Sequence, residues 1–216
     1  MGRKPRIWFE GATYHITNRG NSRQNIFLDP NDRLLFMDKL RELVTEHALK
    51  IHAYCLMSNH YHLVVETSKH HISDTMRTLN TYYSKKYHSK YKTCGHLFQG
   101  RYRSVLVEKS AYLLDVSRYV HLNPVRAHLV SLPEHYTWSS MKVYIGEEDI
   151  HNIVYKDTIL DWFSHEYETA QKNYRRFVHA KMTEQDSLEG LVTYDDILGT
   201  NSFISEVRAQ YSEQNQ

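Results

Sequence analysis

The feature that most restricts the fold is a pair of apolar segments that flank the dipeptide Ser58-Asn59. Residues 50–57 precede this dipeptide and residues 60–66 follow it, and both segments are rich in aliphatic, aromatic and β-branched residues. Two such segments joined by a short polar turn are typical of a β-hairpin. Because an isolated hairpin is at best marginally stable in water, this one must belong to a larger sheet.

The sequence on either side of the hairpin alternates between strand and helix patterns. Period-two alternation predicts strands, and apolar residues three and four apart predict helices. Asp29-Pro30 is typical of a helix start, and Pro124 is expected to stop the preceding helix and to begin a shorter one. The predicted strands cover residues 13–19, 50–57, 60–66 and 102–107, and the predicted helices cover residues 30–48, 73–91 and 111–122.

This order of elements predicts an α+β fold in which an antiparallel sheet carries helices on one face. The nearest named arrangement is the ferredoxin-like βαββαβ motif. After Trp138-Ser139-Ser140 the pattern changes to helical stretches at residues 159–165, 168–182 and 202–211. The sequence therefore predicts a main domain over residues 1–145 and a small helical C-terminal module over residues 146–216.

The charge distribution is uneven, although the formal net charge is only +2. Basic residues concentrate before position 110, in Arg3-Lys4-Pro5-Arg6, Lys85-Lys86 and Arg101/Arg103, whereas residues 146–170 are acidic. This asymmetry predicts a basic working face. No apolar run approaches the ~18 residues of a membrane helix, and no apolar segment follows the basic N-terminus. Together with two cysteines that lack metal-site or disulfide spacing, these features predict a cytoplasmic protein with reduced thiols and no membrane contact.

The segment His60-Tyr61-His62 carries the first candidate site. Residues two apart on a strand project from the same face, so His60 and His62 would lie side by side while Tyr61 faces away. Two neutral imidazoles at that separation can hold one divalent metal ion. The alternative is that both are partly exposed strand residues without a ligand, since a chain with 15 histidines will contain some such pairs by chance.

A second candidate lies in the segment Arg118-Tyr119-Val120-His121-Leu122-Asn123-Pro124. Tyr119 and Asn123 are four residues apart and therefore share one face of a helix. Tyr119 could act as a nucleophile and Asn123 could offer an oxygen atom to a metal. Two structural alternatives remain open at this point. Tyr119 could instead be a core residue, and Asn123 could cap the helix that begins at Pro124.

Two polar loops have chemistry suited to single-stranded nucleic acid. The loop at residues 95–100 brackets an aromatic residue between glycines and leads to Arg101 and Arg103, and the segment at residues 18–23 contains Asn18, Arg19 and Arg23. Arginine for phosphates and aromatic rings for base stacking are how proteins hold unpaired strands. Each loop alone could equally be an ordinary solvated loop.

Taken together and in this order, these motifs resemble the IS200-like family of single-tyrosine transposases, which share the histidine–hydrophobic–histidine (HUH) nuclease core. The resemblance is closest to the branch associated with repetitive extragenic palindromes (REPs). It covers about residues 8–145, and the segments that carry it are residues 14–20, 53–62, 95–102, 118–127 and 138–140.

The resemblance implies a role for each matched position. His60 and His62 would hold Mg²⁺ or Mn²⁺, and Tyr119 would be the nucleophile. Asn123 stands where insertion-sequence members have a glutamine that completes the metal site, and it is one methylene shorter. Tyr61 is bulky where an aliphatic residue is usual, a difference that should be tolerated because it faces away from the metal. The implied DNA-binding residues are Asn18, Arg19, Arg23, Arg101, Arg103 and Arg126.

The implied function is a metal-dependent endonuclease-transposase that cleaves and rejoins single-stranded DNA through a 5′-phosphotyrosine link, at a hairpin substrate. The implied assembly is a monomer or a homodimer. Two alternative functions are compatible with part of the sequence. One is a domesticated protein that binds palindromic DNA without cleaving it. The other is a histidine-rich zinc hydrolase, for which the sequence offers no strong third ligand.

Overall fold

A computed structural model describes residues 6–184 and 188–214 of the 216-residue chain, so that the basic residues Arg3 and Lys4 lie outside the described part. Its centre is a five-stranded sheet with the strand order β2-β3-β1-β4-β5. All neighbouring strands are antiparallel except β4 and β5, which are parallel. The strands are β1 (Thr13–Arg19), β2 (Lys50–Leu56), β3 (His60–Glu66), β4 (Arg103–Val107) and β5 (Ile197–Leu198).

The helices follow the predicted order in the first two thirds of the chain. An Asp29–Asp32 capping box fixes the start of the first helix, because each side chain accepts from the other residue's backbone N–H. The helices are α1 (Pro30–Glu46), α2 (Ile72–Tyr91), α3 (Lys109–Arg126), α4 (Met141–Tyr144), α5 (Asp157–Leu160), α6 (Tyr167–His179) and α7 (Asn201–Gln214). Within the described ranges, no helix has the length and apolar character needed to span a membrane.

Helices cover both faces of the sheet, whereas the sequence predicted one covered face. On the first face, here called the α1/α2 face, Ile16 and Leu63 pack with Phe36 of α1 and Leu79 of α2. On the opposite face, here called the α3 face, valines of β3 and β4 pack with apolar residues of α3 and α6. The reason is that β3 is buried on both sides from Tyr61 to Glu66, so neither face can be left to water. The α+β class itself is confirmed.

Helix α3 runs without interruption through Pro124, and the prediction of two helices that meet there is wrong. Pro124 lacks the N–H that would bond the carbonyl of Val120, but it lies in the last turn, so only one helical bond is lost. Backbone bonding continues beyond it, with Ala127 N–H donating to Asn123 O at 2.9 Å and Leu129 N–H, past the end of the helix, donating to Pro124 O at 2.9 Å. Tyr119 and Asn123 therefore stand on one rigid helix.

The C-terminal third contains the predicted helices, of which α5 is shorter than expected, and one unpredicted strand. Strand β5 pairs Ile197 with Leu106 and Leu198 with Val107, so it lies against the outer side of β4. Tyr174 and Val178 of α6 share a buried cluster with α3. The division of the chain at residue 145 stays a prediction, and residues on both sides of it build the same core.

The opposite edge of the sheet is also covered. Along β2, backbone bonds join Leu56 N–H to Trp138 O at 2.8 Å and Ser140 N–H to Tyr54 O at 3.1 Å. Farther along, Tyr155 N–H donates to Ile51 O at 2.8 Å. Segments that follow α3 thus lie against both outer strands.

Candidate active site

A cavity of about 460 Å³ lies between the α3 face of the sheet and helix α3. Strand register explains which side chains reach it, because Arg19 stands opposite His60 and Thr17 stands between His62 and Arg103. Alternation then places all of these side chains on the same face. Eight of the ten predicted site residues line the cavity: Asn18, Arg19, His60, His62, Arg101, Arg103, Tyr119 and Asn123.

Backbone hydrogen bonds join the three loops around the cavity. Gly20 sits where they meet, and a Cβ atom there would lie 2.1 Å from the carbonyl oxygen of Gln24. Only glycine fits at so close an approach, which accounts for the Asn-Arg-Gly sequence at the end of β1. The bonds are Gly20 N–H to Asn59 O at 2.8 Å, Asn21 N–H to Leu97 O at 2.8 Å and Gln99 N–H to Arg19 O at 2.9 Å.

The predicted histidine pair is held side by side, with ring centroids 5.0 Å apart. His60 Nδ1 lies 2.6 Å from Asn59 Oδ1, and the Asn59 amide is itself oriented by donating to the carbonyl of Arg23 at 3.2 Å. Since Asn59 Oδ1 can only accept, Nδ1 of His60 carries the proton and its Nε2 keeps a lone pair. That is the form in which an imidazole binds a metal ion.

His62 forms a hydrogen bond with His15, a residue to which the sequence analysis assigned no role. Its Nδ1 lies 2.9 Å from Nε2 of His15, and the two rings are stacked with centroids 5.2 Å apart. Its other nitrogen, Nε2, is buried and has no hydrogen-bonding partner among the described residues. Buried polar atoms are rarely left unpaired, because each one costs about 1–3 kcal/mol. The donor set fits a metal ion, which would satisfy Nε2 of His62.

Burial keeps these imidazoles neutral. It lowers the pKa of His60 to about 4, with a contribution from the nearby Arg19 guanidinium. It also lowers the pKa of His15 to about 4, with a contribution from Arg103. For His62 burial again has the largest effect, reinforced by His15 and His60, and its pKa falls well below 6.5. All three are therefore uncharged at neutral pH, as metal ligation requires.

Tyr119 and Asn123 lie on the side of α3 that faces the histidines. The Tyr119 ring centroid is 5.8 Å from that of His62 and 5.7 Å from that of His15. Asn123 Nδ2 donates to the carbonyl of Tyr119 at 2.9 Å, so the amide nitrogen is used within the helix and the side chain caps no second helix. The interpretation of Asn123 as an N-cap is wrong, because no helix begins at Pro124. The oxygen Oδ1 of Asn123, which lines the cavity, is the atom of this side chain that could bind a metal ion.

The predicted DNA-binding residues are not equivalent in the structure. Arg103 forms an ion pair with Asp196 beside β5, at 3.0 Å, whereas Arg101 is exposed at the cavity mouth. Arg126 lies behind the nucleophile candidate, with its guanidinium carbon 5.2 Å from the Tyr119 ring centroid. Arg23 does not line the cavity and contributes its carbonyl to Asn59 instead.

Two kinds of cavity residue were missed by sequence reasoning. His15 could have been placed on the correct face by its alternation with Thr17 and Arg19, but its contact with His62 depends on the β1–β3 register. Leu188 and Val192 enter the cavity wall from the C-terminal third, and no local pattern marks them. Within the described residues, no group of three or more His, Cys, Asp and Glu side chains forms a metal site.

Comparison with solved structures finds a protein of similar fold. The chain resembles the structure of a REP-associated tyrosine transposase bound to a REP hairpin, with a TM-score of 0.57 and 15% identity over 68% of this chain and 87% of the other. A candidate transposase from Deinococcus radiodurans R1 gives a TM-score of 0.40 and 21% identity over 55% of this chain and 95% of the other. At 15% identity the first likeness concerns the fold alone, and the second, with a TM-score of 0.40, is too weak to support a conclusion. No curated protein matches the sequence.

The family model described as "Transposase IS200 like" matches residues 9–123, which is more than half of the chain and includes both histidines and Tyr119. This match confirms the resemblance seen in the sequence motifs. The chain belongs to the IS200-like transposase family.

Proposed function

We propose that this protein is a metal-dependent endonuclease-transposase that cleaves and rejoins single-stranded DNA through a covalent link to Tyr119. The proposal depends on one observation: a buried imidazole nitrogen that has no hydrogen-bonding partner in the described part of the chain lies close to a tyrosine on a rigid helix. Nε2 of His62 is that atom, and the ring of Tyr119 lies 5.8 Å from the ring of His62. Family membership supports DNA transposition as the reaction class.

His60, His62 and the Asn123 side-chain oxygen are the groups that would hold the ion. Bound Mg²⁺ or Mn²⁺ supplies Lewis-acid polarisation of the scissile phosphate. The chain's own contribution begins with orientation, because Asn59 and His15 fix the rings from behind. Arg19 and Arg101 at the cavity would bind the flanking phosphates.

The covalent step follows from the position of Tyr119. A bond forms between its hydroxyl oxygen and phosphorus while the bond from phosphorus to the 3′ oxygen breaks, giving a 5′-phosphotyrosine and a free 3′-hydroxyl. The phenol loses one proton and the leaving oxygen gains one, so the step consumes no net proton. The phosphodiester energy is kept in the link, and a DNA 3′-hydroxyl can reverse the step and rejoin strands without a nucleotide cofactor.

Hairpin DNA is the substrate we propose. A solved protein of the same fold was captured with a REP hairpin, and a hairpin exposes unpaired bases that a duplex hides. Residues 1–145 would form the nuclease and residues 146–216 would support it, in a cytoplasmic protein that acts as a monomer or homodimer.

The test is covalent capture. Purified protein is mixed with Mn²⁺ and a hairpin oligonucleotide that carries single-stranded flanks, and the products are separated on a denaturing gel. We expect a protein–DNA adduct that Tyr119→Phe abolishes and that the control Tyr112→Phe, on the same helix, retains. Hairpin binding without an adduct at every metal concentration would overturn the proposal in favour of a non-cleaving DNA-binding protein. Cleavage that survives Tyr119→Phe would point to a metal hydrolase.

A further inference from the structure

A depression of about 760 Å³ lies along the outer edge of β4, the edge that faces away from β1. Its walls are residues 6–7, the turn before β5 and the end of α7, and we call it the β4 groove. Strand β5 covers only part of this edge, because it pairs with Leu106 and Val107 alone. Within the described part of the chain, residues 103–105 have no neighbouring strand on this side.

The turn before β5 keeps the rest of the edge open. The backbone of Asp196 is left-handed, with φ at +60°, and directs the preceding residues away from β4. Those residues satisfy their own backbone groups, since Thr193 N–H donates to Ile197 O at 2.9 Å and Asp196 N–H donates to Thr193 O at 3.1 Å. The carboxylate of Asp195 accepts two hydrogen bonds from Arg208 of α7, at 2.9 and 3.0 Å. The wall of the groove is therefore preformed.

The open part of the edge offers backbone hydrogen bonds to an incoming chain. The N–H groups of Leu106 and Glu108 donate to the β5 segment, each at 2.8 Å. Because the backbone groups of a strand point alternately to its two sides, the N–H and C=O of Ser104 also point outward. No described residue forms a backbone hydrogen bond with Ser104 on this side. Farther along, the carbonyl of Tyr102 accepts from Nη2 of Arg6 at 2.7 Å.

The charge of the groove is positive on both faces of the sheet. Asp195 and Asp196 are each paired with an arginine, which leaves the excess charge on Arg6 and Arg101. Arg6 lies on the α1/α2 face, where its Nε donates to Ser104 Oγ at 2.7 Å, and Arg101 lines the active-site cavity on the α3 face. A strand added to this edge would direct its side chains alternately to the two faces, so acidic side chains on either face would meet an arginine. The charged residues of the groove are Arg6, Arg101, Arg103, Arg208, Asp195 and Asp196.

We propose that the open edge of β4 binds an extended, acidic peptide segment of a partner protein by strand addition. The backbone of β4 pairs with the peptide, and Arg6 and Arg101 bind its carboxylates. Tyr194, which is 85% exposed at the rim, contacts an apolar side chain of the peptide. The first five residues of this chain include Arg3 and Lys4, whose positive charge disfavours them as the occupant. The inference is independent of the proposed function, because it requires neither DNA nor a metal ion.

Peptide binding is measured by fluorescence anisotropy with the full-length protein and no DNA. The probe is a labelled eight-residue peptide in which pairs of glutamates are separated by valine and threonine. We expect it to bind, and a version with lysine in place of glutamate to show no binding. A third version carries N-methyl groups on its four central backbone nitrogens and keeps every charge. It should bind at least about tenfold more weakly, because it cannot pair with a strand edge. Equal binding of the methylated and unmethylated peptides would overturn strand addition.

Two matched pairs of variants locate the peptide. Ser104→Pro removes the outward N–H and leaves the β1 side of β4 intact, so affinity should fall about tenfold, whereas Ser104→Thr keeps the N–H and should stay within about twofold of the parent. Arg6→Glu should also weaken binding about tenfold, and Arg176→Glu, the same charge change on α6, should not. Thermal unfolding of each variant is recorded beside the binding data. Equal effects of Arg6→Glu and Arg176→Glu would overturn the assignment to this groove.

Hydrogen exchange tests the edge in the unaltered protein. The amide of Ser104 should exchange rapidly in the free protein, in contrast to that of Leu106, and a saturating amount of the acidic peptide should slow its exchange by about tenfold or more. Slow exchange in the free protein would show that the chain itself or a second copy already covers the edge, and would overturn the inference. Peptide binding that leaves the exchange of Ser104 unchanged would do the same.

Discussion

His62 and His121 are both buried on the α3 side of the sheet, and they differ in how their ring nitrogens are used. At His121 both nitrogens are bonded, with Nε2 2.7 Å from Ser140 Oγ and Nδ1 2.7 Å from the Tyr174 hydroxyl. At His62 only Nδ1 is bonded, to His15, and Nε2 has no partner among the described residues. A saturated buried histidine indicates a structural role, whereas an unsaturated one indicates a ligand.

The hydrogen bonds of His121 help to hold α3 in place opposite His62. His121 lies on α3 between Tyr119 and Asn123, and its partners belong to the loop before α4 and to α6. Tyr174 also donates to Ser117 at 3.1 Å, and Ser140 Oγ accepts the N–H of Tyr54 at 2.9 Å. This network fixes the helix that carries the proposed nucleophile relative to the sheet that carries His60 and His62.

The largest expected effect is the loss of cleavage in His62→Ala. Removing a ligand removes the polarisation of the phosphate, which is worth several kcal/mol, so we expect single-turnover cleavage to fall by about a thousandfold or more. Mn²⁺ binding, measured by calorimetry, should be lost as well. Hairpin affinity should change by less than about threefold, because the phosphates are bound by arginines. A parallel loss of hairpin binding would mean that the pair is structural.

His121→Ala should have the opposite profile. It removes one hydrogen bond from each of two buried hydroxyls, those of Ser140 and Tyr174, and opens a cavity, so the free energy of unfolding should fall by about 2–4 kcal/mol. Urea denaturation measures this directly. At a temperature where the variant is folded, Mn²⁺ affinity should remain near that of the parent. If His62→Ala were the more destabilising substitution, the contrast between the two histidines would be reversed.

His15→Phe tests whether the ring of His62 must be held in a fixed orientation in order to bind the metal ion. The ring volume is kept but Nε2 is lost, so Nδ1 of His62 has no fixed partner and Mn²⁺ affinity should fall by about 10- to 100-fold. His15→Gln places an amide oxygen near the same position and should recover part of the loss. Equal affinity in the parent and His15→Phe would show that His62 needs no support from behind.

The smallest effect concerns pH. Burial lowers the pKa of His121 from 6.5 to about 3, so between these values the unfolded chain binds a proton that the folded protein does not. This contribution is absent above pH 6.5 and destabilises the folded state increasingly as the pH falls, by about 2 kcal/mol at pH 5. The stability deficit of His121→Ala should therefore shrink by about that amount between pH 7.5 and pH 5. A constant deficit would show that folded His121 takes up the proton.

The sequence was most informative where one periodicity dominates. The bounds of β1 and β3 match the prediction, because alternation along a strand is a local property. The interruption predicted at Pro124 was wrong, since the cost of one proline in a last turn is outweighed by the packing of Leu122 and its neighbours. The two face-sharing pairs, His60 with His62 and Tyr119 with Asn123, were also readable from spacing.

What the sequence could not show depends on contacts between distant segments. The role of His15 requires the β1–β3 register, and the difference between His62 and His121 requires knowing which hydroxyls reach each ring. The pairing of Arg103 with Asp196 depends on β5, a two-residue strand too short to leave a pattern. Metal ligation, the covalent step and the DNA contacts of the arginines remain predictions.

The covered edges of the sheet have a consequence for association between molecules. An exposed edge strand offers unpaired backbone groups to another chain and invites sheet-to-sheet aggregation. Here β5 lies along β4, and residues near Trp138 and Tyr155 bond the backbone of β2. A second molecule would have to displace these segments before it could pair with β2 or with the end of β4 at residues 106–107. Truncations that remove the C-terminal third would therefore expose strand edges that can pair with another chain. Insolubility of such fragments would not show that the remaining sheet and its helices fail to fold.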